Sequence, residues 1–228
     1  MILAAHMDEV GIVVTEHAGE GFYRFAFSGG VDARVVLGKP VQIGARRGVI
    51  SPGKAWHLAS KAERETAPKP ESLYIDMFGD CGVCPGEFGT FVSEFREFGN
   101  GFVKAKAIDD RFGCAVLLTL MRERYARNVY YAFTVQEEVG CRGAEIAANR
   151  LNGDTVIVVE STTAADYPSR SGGEQVCRLG AGAVVPFMDG GTIYHRGLWG
   201  EITAIAEREH IPWQTKTRVA GGTDARSF

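Results

Sequence analysis

Tyr130-Tyr131-Ala132-Phe133-Thr134-Val135-Gln136-Glu137-Glu138-Val139-Gly140 lies just past the middle of a 228-residue chain. Its aromatic and β-branched residues read as a buried central strand, which stops at two adjacent carboxylates and a glycine. In open α/β sheets, ligands bind beyond the carboxyl ends of the strands. Two neighbouring acids there are unfavourable unless a cation or a proton neutralises them. On an extended backbone Glu137 and Glu138 point to opposite sides, so only a bend brings both to one cation.

Working outward, other strand ends carry similar groups. Residues 155–159 form a β-branched run that ends at Glu160, and residues 102–108 alternate like a strand up to Asp109-Asp110. The chain opens on Ile2-Leu3-Ala4-Ala5, which meets His6-Met7-Asp8. His6 and Asp8 are two apart, so an extended backbone points both the same way. An imidazole beside a carboxylate suits a metal ligand whose other ring nitrogen is held by an acid. The bland alternatives are specific: a single His-x-Asp is commonly a surface or core pair. An aspartate before residues 112–122, an apolar helix, is commonly its N-cap. One aspartate fills that role and leaves the other free. Four such ends in one α/β unit argue for a hard-cation site; zinc, cobalt or manganese fits the mixed carboxylate and imidazole set better than calcium.

Between the first strand and residue 102 the texture changes. Short β-type stretches at 22–27, 31–37, 40–43, 48–50 and 73–77 are punctuated by glycine and proline, as in a small barrel or sandwich. Residues 59–65 are a short polar segment with some helical character, and 61–71 read as an exposed loop. The expected organisation is a catalytic domain in two parts, 1–15 and 102–228, interrupted by a β domain at 16–101. A helix is expected at 141–151. In the tail, Gly180-Ala181-Gly182 turns into a strand but lacks a phosphate-loop lysine. Leu198, Ile202, Ile205 and Ala206 have the spacing of a packed helix face. A last strand at 213–219 leads into Gly221-Gly222-Thr223-Asp224-Ala225.

A net charge of -3 gives no electrostatic case for nucleic acid or an anionic membrane. No apolar run is long enough to span a bilayer. The five cysteines are an odd, scattered set that suits reduced thiols in a cytoplasm. Cys81-Gly82-Val83-Cys84 has redox or zinc spacing without a second pair, and reads as loop cysteines.

Ala5-His6-Met7-Asp8-Glu9-Val10-Gly11, Ala107-Ile108-Asp109-Asp110-Arg111, Gln136-Glu137-Glu138-Val139-Gly140 and Gly221-Gly222-Thr223-Asp224-Ala225 occur in that order. Together they resemble the tetrahedral aminopeptidase family, which includes glutamyl and leucyl aminopeptidases and proteins also labelled endoglucanases. The likeness runs through nearly the whole chain. It implies a three-layer α/β/α metallopeptidase domain with an inserted β-barrel-like domain used for oligomerisation. It further implies two divalent ions, zinc or cobalt, bridged by Asp109. His6 and Glu160 would complete the first site and Glu138 would bind the second ion. Glu137 would be the general base, Asp8 would orient His6, and Asp110 would support the ligands across a cis Asp109-Asp110 peptide.

Two departures stand out. The family usually has aspartate where Glu160 stands, a change that keeps the charge. Family members also have a helix and a strand before His6, and a histidine for the second ion after the Gly-Gly-Thr-Asp motif. Neither His195 nor His210 fits that motif, so the chain is expected to be a fragment or a form trimmed at both ends. Two functions follow as expectations. One is a cytoplasmic aminopeptidase acting on peptides, assembled as a homo-oligomer between dimer and dodecamer. The other is a catalytically impaired, metal-binding relative. A glycosidase is a distant third, because it needs two carboxyls facing each other across a sugar at about 5–10 Å.

Overall fold

The computed structural model describes residues 1–79, 82–168 and 175–228. The chain opens with strand β1 (Ile2–His6), followed by β2 (Gly11–Gly19), β3 (Phe22–Ser28), β4 (Pro40–Ile43) and β5 (Arg46–Pro52). A one-turn helix α1 (Lys61–Glu65) precedes β6 (Leu73–Asp76) and β7 (Phe88–Phe91), and a hairpin of β8 (Arg96–Phe98) and β9 (Phe102–Lys104) leads to α2 (Ile108–Leu120). After these come β10 (Tyr130–Thr134), α3 (Arg142–Arg150), β11 (Val156–Val158), β12 (Ala183–Val184), α4 (Arg196–Arg208) and β13 (Trp213–Gln214). The fold is mixed α/β. It divides into two compact units, Met1–Met7 with Asp109–Phe228, and Asp8–Ile108.

In the first unit β1 lies between β10 and β11 and runs parallel to both. Every residue of β1 is buried, as a middle strand covered on both faces requires. The central place in this sheet, expected for Tyr130–Thr134, belongs to Ile2–His6. Pleating sends alternate β1 residues to opposite sides. Leu3 and Ala5 pack with Leu117 and Cys114 of α2, while Ile2 and Ala4 pack toward Leu151 and Phe228. Burying a side chain such as Leu117 stabilises the fold by about 1.5–3 kcal/mol. The register pairs Ala5 with Phe133 and His6 with Thr134, so β1 and β10 end level with each other.

The second unit is a closed six-stranded barrel in the order β2-β3-β6-β5-β4-β7. Its core is built on Ile12, Tyr23, Ile43, Ile50 and Ile75, all essentially inaccessible. Residues 31–37, expected as a strand, instead hold a 3-10 turn at Ala33–Val35, because the Asp32 side chain accepts from the Arg34 N–H and starts a turn. Residues 61–65 are helical, in line with the helical character read over 59–65 and against the loop read over 61–71, and are fixed by a capping box in which Ser60 and Glu63 satisfy each other's backbone N–H groups. The strand expected over 102–108 stops at Lys104, and the one expected over 213–219 stops at Gln214. No helix among the described residues is long and apolar enough to cross a membrane.

Candidate metal centre

His6 ends β1 with its side chain 1% exposed, and its Nε2 lies 3.1 Å from Asp109 Oδ1 and 3.5 Å from Glu160 Oε1. Glu160 lies two residues past β11, and between them the Val159 N–H still donates to the Ala4 carbonyl at 2.8 Å, so Glu160 is delivered by the same parallel sheet. Asp109 arrives differently from the strand end expected for it. It sits in a kink at the start of α2, where Asp109 (φ -80, ψ 105) and Asp110 (φ -121, ψ 37) leave helical geometry. Their peptide bond is cis. The two aspartates divide the work: Asp110 Oδ1 accepts from the Gly113 N–H at 3.1 Å, as an N-cap does, while Asp109 meets His6. Glycine is required at 113, because a Cβ there would come within 2.5 Å of the Val159 carbonyl oxygen. The start of α2 thus presses against the end of β11.

The strand carrying Glu137 and Glu138 does bend. Gln136 takes a left-handed conformation (φ 62), and the N–H groups of Gly140 and Cys141 both donate to the Glu137 carbonyl, at 2.8 and 2.9 Å. The two glutamates then serve different groups. Ligand atoms of His6, Asp109 and Glu138 lie within 4.8 Å of one another, as do those of His6, Asp110 and Glu160. Glu137 instead clusters with Cys141 and Asp224 at the same spacing.

The electrostatics are those of a crowded acid cluster. Burial works against a charged His6, but its hydrogen bonds to Asp109 and Glu160 outweigh that and raise it to about 11. The same His6 contact holds Asp109 below the ordinary carboxylate range. Burial, with Glu160 close by, pushes Asp110 up to about 7, and burial likewise pushes Glu160 up to about 7. Glu137 is also raised, mainly by burial. Protons therefore stand in for positive charge. Two buried carboxylate oxygens, Asp110 Oδ2 and Glu160 Oε2, have no hydrogen-bond partner. Unsatisfied, desolvated acceptors beside an imidazole are what a divalent cation satisfies, so the donor set fits a metal ion.

His6, Asp109, Asp110, Glu138 and Glu160 converge, and Glu137 stands at the neighbouring cluster. Asp8 is the first residue of the barrel unit. His195 caps α4 by accepting from the Leu198 N–H at 3.1 Å, and His210 lies beyond its end. Cys81 lies outside the described residues, and Cys84 is an exposed free thiol. Sequence reasoning missed Cys141 and Asp224 as neighbours of Glu137. Both carried a signal: one follows the glutamate motif directly, and the other closes the Gly-Gly-Thr-Asp motif.

Comparison with known proteins gives a consistent result. The pattern of the M42 glutamyl aminopeptidases matches residues 1–228. The glutamyl aminopeptidase of Lactococcus lactis subsp. cremoris is 30% identical over 243 residues, covering 99% of this chain and 67% of that one. Among solved structures, an aminopeptidase from the archaeon Desulfurococcus kamchatkensis is 32% identical with a TM-score of 0.89, covering 99% of this chain and 66% of that one. The TET1 peptidase of Pyrococcus horikoshii, described as assembling into a tetrahedron or a large octahedral shell, is 29% identical with a TM-score of 0.81, covering 100% of this chain and 71% of that one. The chain thus spans about two thirds of the length of these relatives.

Proposed function

The chain belongs to the M42 glutamyl aminopeptidase family, and from that premise we propose that it is a metal-dependent aminopeptidase that removes the N-terminal residue of peptides. The observation that carries this reading is the His6 cluster, in which the buried Glu160 Oε2 lacks a hydrogen-bond partner. In this reading Asp109, His6, Glu160 and Glu138 would hold two divalent ions, zinc or cobalt, with Asp109 shared between them, His6 and Glu160 serving one and Glu138 the other. Bound there, the cations supply positive charge that acidifies water and polarises the scissile carbonyl. Asp8, two residues after His6, orients its imidazole, and Asp110 braces the cluster from the α2 cap.

Glu137 takes the proton from the attacking water and returns it to the leaving amine. Its burial supports that role, since a carboxylate raised toward neutrality is a better base than a solvated one. Its separation from Glu138 at the bent strand end supports two roles, one glutamate for a cation and the other for a proton. The α/β unit is read as a three-layer catalytic domain and the barrel as the element through which copies assemble into a homo-oligomer. The free thiols at Cys84, Cys114, Cys141 and Cys177 support a cytoplasmic setting.

Glu137→Gln tests the mechanism. On a panel of aminoacyl-p-nitroanilides the rate should fall by about 10²–10⁴-fold, with bound cation unchanged. Full activity in that variant contradicts the assignment.

A further inference from the structure

Cys141 takes no part in the hydrolysis described above, yet its surroundings are built around Glu137. It is buried, and it adopts a left-handed conformation (φ 56, ψ 31) immediately before α3, a backbone region that a non-glycine residue enters at a cost. Its own N–H helps to close the turn that displays both glutamates. Its Sγ lies 3.5 Å from Glu137 Oε1 and 3.6 Å from the Thr223 carbonyl oxygen. The Ser227 hydroxyl donates to its carbonyl at 3.4 Å, tying this corner to the segment after the Gly-Gly-Thr-Asp motif. On the other side Asp224, 1% exposed, accepts from the Thr134 hydroxyl and lies with Glu137 and Cys141 in one cluster.

We propose that Cys141 is a positioning residue for Glu137: its thiol donates to the Glu137 carboxylate and holds that side chain in its place at the strand end. The inference rests on reading Glu137 as the base. A thiol has one proton and here two acceptors; the carboxylate is the stronger of them. The Thr223 carbonyl then keeps Sγ in its site without taking the proton. Burial pushes the thiol up to about 12, so it remains a donor throughout the range in which a peptidase works. A plain packing role requires none of this, and the two roles separate by experiment.

Infrared difference spectroscopy of the full chain reads the contact without turnover. Subtracting the Cys141→Ala spectrum isolates the S–H stretch of this residue. It is expected at the low-frequency position of a hydrogen-bonded thiol, and should shift toward the free-thiol position in Glu137→Ala. A band that does not move in Glu137→Ala places the proton on the Thr223 carbonyl and overturns the inference. In turnover of aminoacyl-p-nitroanilides, Cys141→Ala should lose about tenfold in kcat with KM within about twofold, the scale of a misplaced catalytic group. Cys141→Ser, which keeps a donor, should recover most of that loss. Wild-type kcat in Cys141→Ala, or equal impairment of the alanine and serine variants, overturns it. If Glu137→Gln is inactive while Cys141→Ala is fully active, this inference alone falls. If Glu137→Gln is fully active, the base assignment falls and takes this inference with it.

Discussion

His6 offers one buried nitrogen to Asp109 and Glu160, and in that place a proton and a cation exclude each other. The sign of the resulting pH dependence follows from the directions. His6, raised from 6.5 to about 11, stabilises the cation-free fold below its ordinary value, and that contribution is lost as pH climbs through about 11. Asp110 and Glu160, raised to about 7, are protonated in the fold at pH values where they ionise when unfolded, so stability again falls as pH rises from the ordinary carboxyl range to about 7. The melting temperature of cation-free protein should therefore decline from about pH 5 to pH 7, and added zinc should restore it at the upper end. A cation-free melting temperature that rises over that interval contradicts the cluster's electrostatics. The convergence at this scale was legible because strand ends collect ligands, which pointed to His6, the Glu137-Glu138 pair and Glu160 from their positions, while the division of roles between the two glutamates came from the family resemblance. Cys141 offered only its place after the glutamate motif, because its approach to Glu137 depends on the left-handed turn from Gln136 onward, which no periodicity announces.

At the scale of elements, the instructive case is α2. The alternation over residues 102–108 suggested a strand delivering Asp109, whereas the β8–β9 hairpin takes only Phe102–Lys104 and the helix begins at Ile108. Alternation alone does not say where pairing ends, since that is decided by the partner strand, and β8 is three residues long. The cap was legible: an aspartate ahead of an apolar helix, with a second one spare. Close approach of α2 to β11 makes Gly113 sensitive. Gly113→Ala forces the Asp110 carboxylate and the Val159 carbonyl apart, and should reduce unfolding stability in urea by about 1–3 kcal/mol. Wild-type stability in that variant would show that the helix start is not packed this tightly. On the opposite face of the same helix from solvent, Leu117→Ala removes a fully buried side chain from the sheet. It should lower stability by about 2–5 kcal/mol in the same assay, more than Gly113→Ala.

For the whole molecule, short strands separated by glycine and proline made a small barrel or sandwich legible, and the structure closes it as a barrel; its strand order was not legible. The order β2-β3-β6-β5-β4-β7 pairs strands far apart in sequence, and such pairing is selected by packing around Tyr23, Ile43 and Ile75 rather than by any local pattern. The two units have separate cores, so a defect in one should leave the other's chemistry intact. Ile75→Ala should destabilise the barrel by about 2–5 kcal/mol, while cation binding by the folded protein stays at its wild-type affinity in calorimetry; a matching loss of affinity would deny that independence. Catalysis at this site requires that the converging acids and His6 hold metal. The most direct measurement is elemental analysis of wild-type and Asp109→Asn protein after saturation with zinc or cobalt and removal of the excess. The expected result is cation retained in a fixed ratio to the wild-type chain and lost in Asp109→Asn. No retained metal in the wild type, or the same content in the variant, would contradict it.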